Sequence, residues 1–444
     1  MAAERKIFSV MELQTIGALL VEDGNHGENR PRPDEFSTVG IQFIRAADMD
    51  GGRVLFESAQ RINEIARNRV RKGIGAGGDV LLSHKGTVGK VAYVPLNAPP
   101  FVCSPQTTFW RVTDAKRLDR RYIYYFLQSQ AFREQLDSRK GETDMADYVS
   151  LTTQRTLKVT VPHIAEQEAI AGVLGSLDDK IELNRRMNAT LEAMARALFQ
   201  SWFVDYDPIR AKLDGRSPAN LDPTTAALFP ASFQDSSLGP IPYGWDVGSI
   251  LRQADLLSGG TPKTDVSAFW DGEVAWASAK DVSQCGQAFL VSTERTITPL
   301  GVEKSPTKII PAFSTVVVAR GATTGRLTMF GTAMAMNQTC YGLRSKVDAP
   351  FALYCHVLHF IERLVQGGHG SIFDTITTST FEATNVLLAS KEILEAFDAS
   401  TAPLFQRILA NIHESRTLAT LRDTLLPKLL SGELSVSTAA ETIP

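Results

Sequence analysis

The chain has 444 residues, of which 43% are hydrophobic and 21% charged. That excludes a single small module, and it excludes a wholly disordered chain. The formal net charge of −3 argues against a uniformly basic nucleic-acid binder, but not against one basic domain inside a neutral whole.

Cys103, Cys285, Cys340 and Cys355 form no C-x-x-C pair, a usage that suits a reducing cytoplasm. The opening Met-Ala-Ala-Glu-Arg-Lys-Ile has no apolar signal core. No apolar run approaches the ~18 residues of a membrane span. A cytoplasmic protein without membrane contact is expected.

In chain order, residues 1–162 read as a mixed α/β domain. Short apolar runs over Val80–Ser83 and Lys90–Val94 predict strands, and Arg121–Leu136 predicts a helix. Arg61, Arg67, Arg69, Arg71, Lys72, Lys85 and Lys90 crowd into this domain. Residues 1–160 hold 23 Lys and Arg against 19 Asp and Glu, a net +4, while the remainder carries −7. Gly73–Gly78 fits G-x-G-x-x-G in spelling. The dinucleotide reading needs a strand before it and a helix after it, whereas a strand follows here, so a turn is expected.

Residues 163–204 predict one long helix. Ile170, Leu174, Leu177, Ile181, Asn184, Asn188, Leu191, Ala195, Leu198 and Trp202 alternate four and three apart, the seam of a coiled coil. Residues 205–240 form a linker with Pro208, Pro218, Pro223, Pro230 and Pro240; the prolines predict an ordered or semi-ordered connection. Asp207-Pro208-Ile209 reads as a helix stop rather than a methyltransferase motif.

Residues 241–390 repeat the mixed α/β pattern, with strands over Thr315–Ala319 and Arg326–Phe330 and a helix over Pro350–Val365. Cys355, His356 and His359 lie together on that helix; packing is the expected role, with a metal site the minor alternative. Residues 391–434 give the second long helix, with Phe397, Thr401, Leu404, Ile408, Asn411, Ser415, Leu418, Arg422, Leu425 and Leu429 at the same spacing as the first. Pro403 predicts a kink or a fresh start. Residues 435–444 read as a frayed tail.

The chain therefore repeats itself. Val80–Lys90 aligns with Val316–Arg326 at a shift of 236, and Gln106-Thr107 with Gln338-Thr339 at 232. Ile44 and Trp276 also lie 232 apart, each before an aspartate. From Asp147/Asp374 through Leu198/Leu425 the shift holds at 227. The predicted fold class is α+β, with two pseudo-repeated mixed domains separated by two long helices in an antiparallel coiled coil, related by a pseudo-two-fold. Asn184 and Asn411 are expected near its axis, as seam polar residues that fix register.

No phosphate loop, zinc-binding helix motif or acidic nuclease cluster is recognisable. The absence favours a binding protein, and the repeated basic turns Ser83–Lys90 and Ala319–Arg326 favour DNA. Both turns are expected to offer basic side chains and exposed backbone N–H groups. Candidate contacts are Arg69, Arg71, Lys72, Lys85, Thr87 and Lys90 in the first domain. In the second they are Lys280, Lys308, Arg320, Thr323, Thr324 and Arg326. A two-lobed methyltransferase or nuclease, or a coiled-coil adaptor that never meets DNA, remains the alternative.

Ile164-Ala-Glu-Gln-Glu-Ala-Ile170, Leu177-Asp-Asp-Lys-Ile181 and Leu198-Phe-Gln-Ser-Trp-Phe203 resemble the central conserved region of type I restriction–modification specificity subunits. Leu238–Trp245 resembles the entry to that family's second variable region, and Leu425–Leu434 its distal conserved region. The likeness covers the whole chain. Lys391-Glu-Ile-Leu-Glu395 and Pro403 depart from the pattern in the second helix.

The resemblance implies a non-catalytic subunit with two target-recognition domains, at 1–162 and 241–390, each reading one half of a split double-stranded DNA target. It implies two adenine-methylating subunits and restriction subunits as partners, and it places S-adenosylmethionine, ATP and Mg²⁺ on those partners and none on this chain. A helix over 166–202 would span about 55 Å at ~1.5 Å per residue, more than one duplex turn of ~34–36 Å.

Overall fold

The computed structural model describes residues 5–140, 147–367 and 375–436. Asp374 and residues 437–444 of the expected tail lie outside them. The chain forms two compact units, Met1–Lys180 with Leu418–Pro444, and Ile181–Thr417.

In the first unit, strand Lys6–Ser9 pairs antiparallel with Lys158–Val161. Two sheets follow. One is built on Thr107–Val112, flanked by Leu19–Asp23 and Val80–Ser83, with Val91–Tyr93 beyond. The other runs from Phe36–Ser37 through Arg61–Ile62, Ile41–Ile44 and Phe101–Cys103 to Ile74–Gly75. Ile44, Leu81, Ala92, Phe101, Cys103 and Phe109 are packed together as a core. Val80–Ser83 is buried along its length, which explains why it reads as a continuous apolar run rather than an alternating one. The single helix expected over Arg121–Leu136 is two, Arg120–Gln128 and Gln130–Asp137. Ser129 separates them because its backbone is extended and its hydroxyl caps the second helix, accepting from Phe132 N at 3.2 Å.

The second unit repeats the plan. Asp246–Ser249 pairs with Asn385–Leu388. Cys340–Ser345 lies between Ala254–Ser258 and Thr315–Val318, with Leu327–Phe330 beyond. Trp270–Ala277 lies between Arg295–Ile297 and Met334–Met336. Aligned on the parallel pairs Val102/Phe43 and Ala335/Trp276, Trp276 corresponds to Phe43, one residue from the Ile44 that the sequence alignment suggests.

The long helices are Ile164–Phe203 and Lys391–Ser431, and each runs through both units. Their pairing is antiparallel: Asn184 bonds Ser415, Asn188 bonds Asn411 and Asp178 bonds Arg422. None of the twenty predicted seam residues is exposed. Pro403 neither ends nor restarts the second helix. It faces solvent, and its neighbours hold the helix in place: Thr401 is fully buried and Phe405 stacks on Phe351 with centroids 4.7 Å apart. Packing of this kind outweighs the ~3 kcal/mol penalty of a helical proline.

The connection after the first long helix is ordered. Tyr206 takes a left-handed conformation (φ 58°) and Asp207–Leu213 forms a new helix with proline in its first turn. The Asp-Pro pair therefore starts a helix as well as following the end of one. Ile209, Phe229, Ile241 and Trp245 pack with Trp202 and Phe203.

Candidate nucleic-acid interface

The turn after strand Val80–Ser83 contains Gly86 (φ 77°) and Gly89 (φ 97°), and the turn after Thr315–Val318 contains Gly321 (φ 99°) and Gly325 (φ 87°). These left-handed positions favour glycine for conformation. Three of the four glycine N–H groups close the turns internally: Gly86 N donates to Asp147 O, Gly89 N to Ser83 O and Gly325 N to Val318 O, each at 2.9 Å. These three N–H groups are therefore taken up inside the turns.

Lys85 forms a bridge with Tyr148, and Arg320 forms one with Thr375. Val149 N donates to His84 O at 2.9 Å, as Ile376 N does to Ala319 O at 2.8 Å. Lys85 and Arg320 thus occupy equivalent places, whereas the literal alignment sets His84 opposite Arg320. Both basic side chains are exposed. Lys85 Nζ sits 5.8 Å from the Tyr148 ring centroid. His84 is buried with Nδ1 3.1 Å from Val149 O, and burial pushes its pKa down. It adds no positive charge to this surface at neutral pH.

Each turn continues into a second patch. His84 N donates to Gln106 O at 2.9 Å, and Ala319 N to Thr339 O at 2.8 Å. Gln106 and Gln338 are both exposed beside these bonds. Gly24 and Gly259 press against the same loops so closely that a side chain would strike the carbonyls of Cys103 and Ser104 or of Met336 and Asn337. Beyond them, Gly73 lies against Gly24 and Gly260 lies against Pro306 and Thr307. Arg71-Lys72 stand shortly before strand Ile74–Gly75 and Lys308 directly before strand Ile309–Ile310, and all three are exposed. The strand Ile74–Gly75 follows Gly73, with a turn at Gly77-Gly78 and no helix, so Gly73–Gly78 lacks the strand-then-helix setting of a nucleotide loop.

Thr87, Thr323 and Arg326 are exposed on the turns themselves. Other candidates are engaged within their domain. Arg69 Nη1 bonds Glu35 Oε1 at 2.7 Å and Nη2 bonds Arg30 O at 3.0 Å. That guanidinium, with the Arg32 N–H, holds the Glu35 carboxyl down at about 2. Lys90 Nζ ties down the carbonyls of Ala46 and Met49 at 3.2 and 3.1 Å. Lys280 pairs with Glu294 at 2.7 Å, and this bond raises its pKa. Thr324 Oγ1 bonds Gly321 O at 2.7 Å inside its turn.

Sequence reasoning missed Arg295, an exposed guanidinium 3.4 Å from the ring centroid of Trp270. The Cys355–His356–His359 group is packing, as expected. His356 is buried between the rings of Phe199 and Phe203, and its pKa is pushed down to about 4 by that burial. Among the described residues no three His, Cys, Asp or Glu side chains are placed to hold a metal ion. No described helix is long and apolar enough to cross a membrane.

Comparison with known proteins agrees with the two-fold plan. The family model for the type I restriction modification DNA specificity domain matches residues 26–193 and again 242–414. The chain is 25% identical to the type I restriction enzyme HindI specificity subunit of Haemophilus influenzae, over 93% of this chain and 98% of that one. It is 22% identical to the MjaIX specificity subunit of Methanocaldococcus jannaschii, over 79% and 78%. The crystal structure of the type I restriction-modification S subunit from M. genitalium shares the fold, with a TM-score of 0.54 at 13% identity and 96% coverage of both chains.

Proposed function

The chain belongs to the type I restriction–modification DNA specificity family, and from that membership we propose how it divides its work. It is the DNA specificity subunit and not itself a catalyst. Each mixed domain, assigned to 1–162 and 241–390, reads one half of a bipartite, asymmetric target. The long helices, at 163–204 and 391–434, set the interval between the halves and dock two adenine-methylating subunits, with restriction subunits joining outside them. S-adenosylmethionine, ATP and Mg²⁺ belong to those partners, and the complex works on DNA in the cytoplasm.

One observation carries the reading. Two equivalent domains each carry a basic glycine turn, an exposed glutamine and a second exposed basic loop: Lys85, Gln106 and Arg71-Lys72 in the first, Arg320, Gln338 and Lys308 in the second. Side chains of this type neutralise phosphates and read base edges. Two readers on one polypeptide also raise each other's local concentration at the target, so neither has to bind tightly alone.

The test is to co-express the chain with its methylating partners and map modified adenines by long-read sequencing. Two fixed half-sites separated by a constant spacer are expected. A single uninterrupted site, or methylation without sequence preference, overturns the reading. Methylation or cleavage by the purified chain alone would support the enzyme alternative instead.

A further inference from the structure

The second domain holds an arginine that its sequence neighbours do not explain. Arg295 begins the strand Arg295–Ile297 and is paired in register with Trp276. Its guanidinium lies 3.4 Å from the Trp270 ring centroid and 6.0 Å from that of Trp276. The two indoles meet edge to face at 85°, 5.2 Å apart. Both are locked: Trp270 Nε1 donates to Lys263 O and Trp276 Nε1 to Gly260 O, each at 3.0 Å. The loop before Arg295 is fixed as well, since Thr293 Oγ1 bonds Arg295 O at 2.7 Å and accepts from Trp276 N at 3.2 Å.

The charge is not engaged by a carboxylate. The adjacent Glu294 pairs with Lys280 at 2.7 Å and turns its backbone N–H to Asp281 at 2.9 Å. Among the described residues no carboxylate bonds the Arg295 guanidinium. The guanidinium lies instead over an aromatic ring, its Cζ 3.4 Å from the Trp270 centroid, as a cation–π contact.

A series of contacts links its surroundings to the Arg320 turn. Arg320 adjoins Thr339 through the Ala319 N–H bond. Gln338 accepts from Thr261 Oγ1, and that loop runs on to Lys263, whose carbonyl holds Trp270. Arg320, Gln338, Lys263 and Arg295 are thereby linked through successive contacts, and all four are exposed.

We infer that Arg295, stacked on Trp270, reads a guanine in the half-site of the second domain; the inference rests on the DNA-reading function proposed for that domain. A guanidinium presents two parallel N–H groups, which match O6 and N7 of guanine in the major groove. Contact with an indole that is itself locked restrains the side chain before DNA arrives, so less freedom is lost on binding. Among the described residues of the first domain the arginines over aromatic rings, Arg111 on Phe109 and Arg121 on Tyr93, are paired with Asp79 and Asp179. Phe43 stands at the Trp276 position and packs on Phe36 and His26, and the only tryptophan of residues 1–162 is the buried Trp110. The two domains would accordingly read different sequences, as an asymmetric target requires.

The experiment uses the full chain with its methylating partners and duplexes carrying every single base-pair change in both half-sites. Arg295→Ala should lose about ten- to a hundredfold of discrimination at one G·C pair of one half-site. Arg295→Lys should not restore it, because an ammonium lacks the planar fork. Selectivity at the other half-site, measured on the same molecules, should be unchanged and shows that the variants are folded. A uniform loss on all duplexes, with the salt dependence reduced by about one ion, would make Arg295 a phosphate contact and overturn the inference. So would an unaltered discrimination profile. If the unmodified chain selects no sequence at all, the proposed function itself fails.

Discussion

Asn411 donates from Nδ2 to Oδ1 of Asn188 at 2.8 Å in the buried seam of the long helices. Asn184, which stands 227 residues before Asn411, donates from Nδ2 to Ser415 at 3.3 Å. Ser415 in turn stands 227 residues after Asn188. The two bonds are therefore copies of one interaction, exchanged between the helices. Asn184 also reaches Glu414 at 2.7 Å, so the copies are not identical. Reciprocal bonds of this kind are what a pseudo-two-fold between the helices produces, and they specify register in a way that leucines would not.

Removing one member of this set should be costly because it leaves a buried polar atom without its partner. Asn411→Ala is expected to destabilise the chain by about 1–3 kcal/mol, measured as a lower denaturant midpoint. Replacing Asn188 and Asn411 together by leucine should recover much of that loss, since both polar groups are then gone. A double-mutant cycle reads the coupling directly. Additive effects would mean that the bond does not act as a pair.

Arg69 was placed by sequence among the DNA contacts, yet its guanidinium braces Glu35. Glu35→Gln should therefore destabilise the first unit at pH 7. The sign follows from the depressed carboxyl. A carboxylate with a folded pKa of about 2 and an unfolded value near 4.3 binds fewer protons when folded. Its stabilisation is complete above the unfolded value and disappears as pH falls through about 2. The gap between Glu35→Gln and the unaltered chain should narrow over that window. A gap that stays constant with pH would show that the charge is not what Arg69 needs.

The helices were the most legible part of the fold because a heptad repeat reports burial directly. The prediction of 163–204 meets the observed Ile164–Phe203. Short strands were less legible: Arg61–Ile62 and Ile74–Gly75 are two residues each, too few for alternation to show. For the candidate interface, sequence marks the basic turns but does not separate a side chain bonded within its domain from one left exposed. Arg69 and Arg71 are two residues apart and equally charged, and only the fold puts Glu35 beside the first. Arg295 carried no sequence signal, since its platform comes from Trp270 and Trp276, brought to it by strand pairing. Lys85 and Arg320 were found because the glycines around them repeat.

Those two residues give the sharpest check on the division of labour. Lys85→Ala should relax selectivity in one half-site and Arg320→Ala in the other, each by about tenfold or more if a base edge is contacted. Methylation mapping of both variants in parallel decides it. Equal weakening at both halves by either variant would mark that residue as a phosphate contact.

The interval between half-sites should follow the length of the helices. The first long helix has 40 residues, and at ~1.5 Å per residue one heptad contributes about 10 Å. A duplex rises ~34–36 Å over 10–10.5 base pairs, so that length corresponds to about three base pairs. Deleting a heptad from each helix at facing positions preserves the seam, because every retained residue keeps its a-to-g assignment. The deletion should shorten the preferred spacer by about three base pairs while leaving both half-site sequences as they were. Mapped methylation sites read both quantities at once. An unchanged spacer would show that the helices pair without acting as a ruler. A changed half-site sequence would mean that the deletion had disturbed the reading domains themselves.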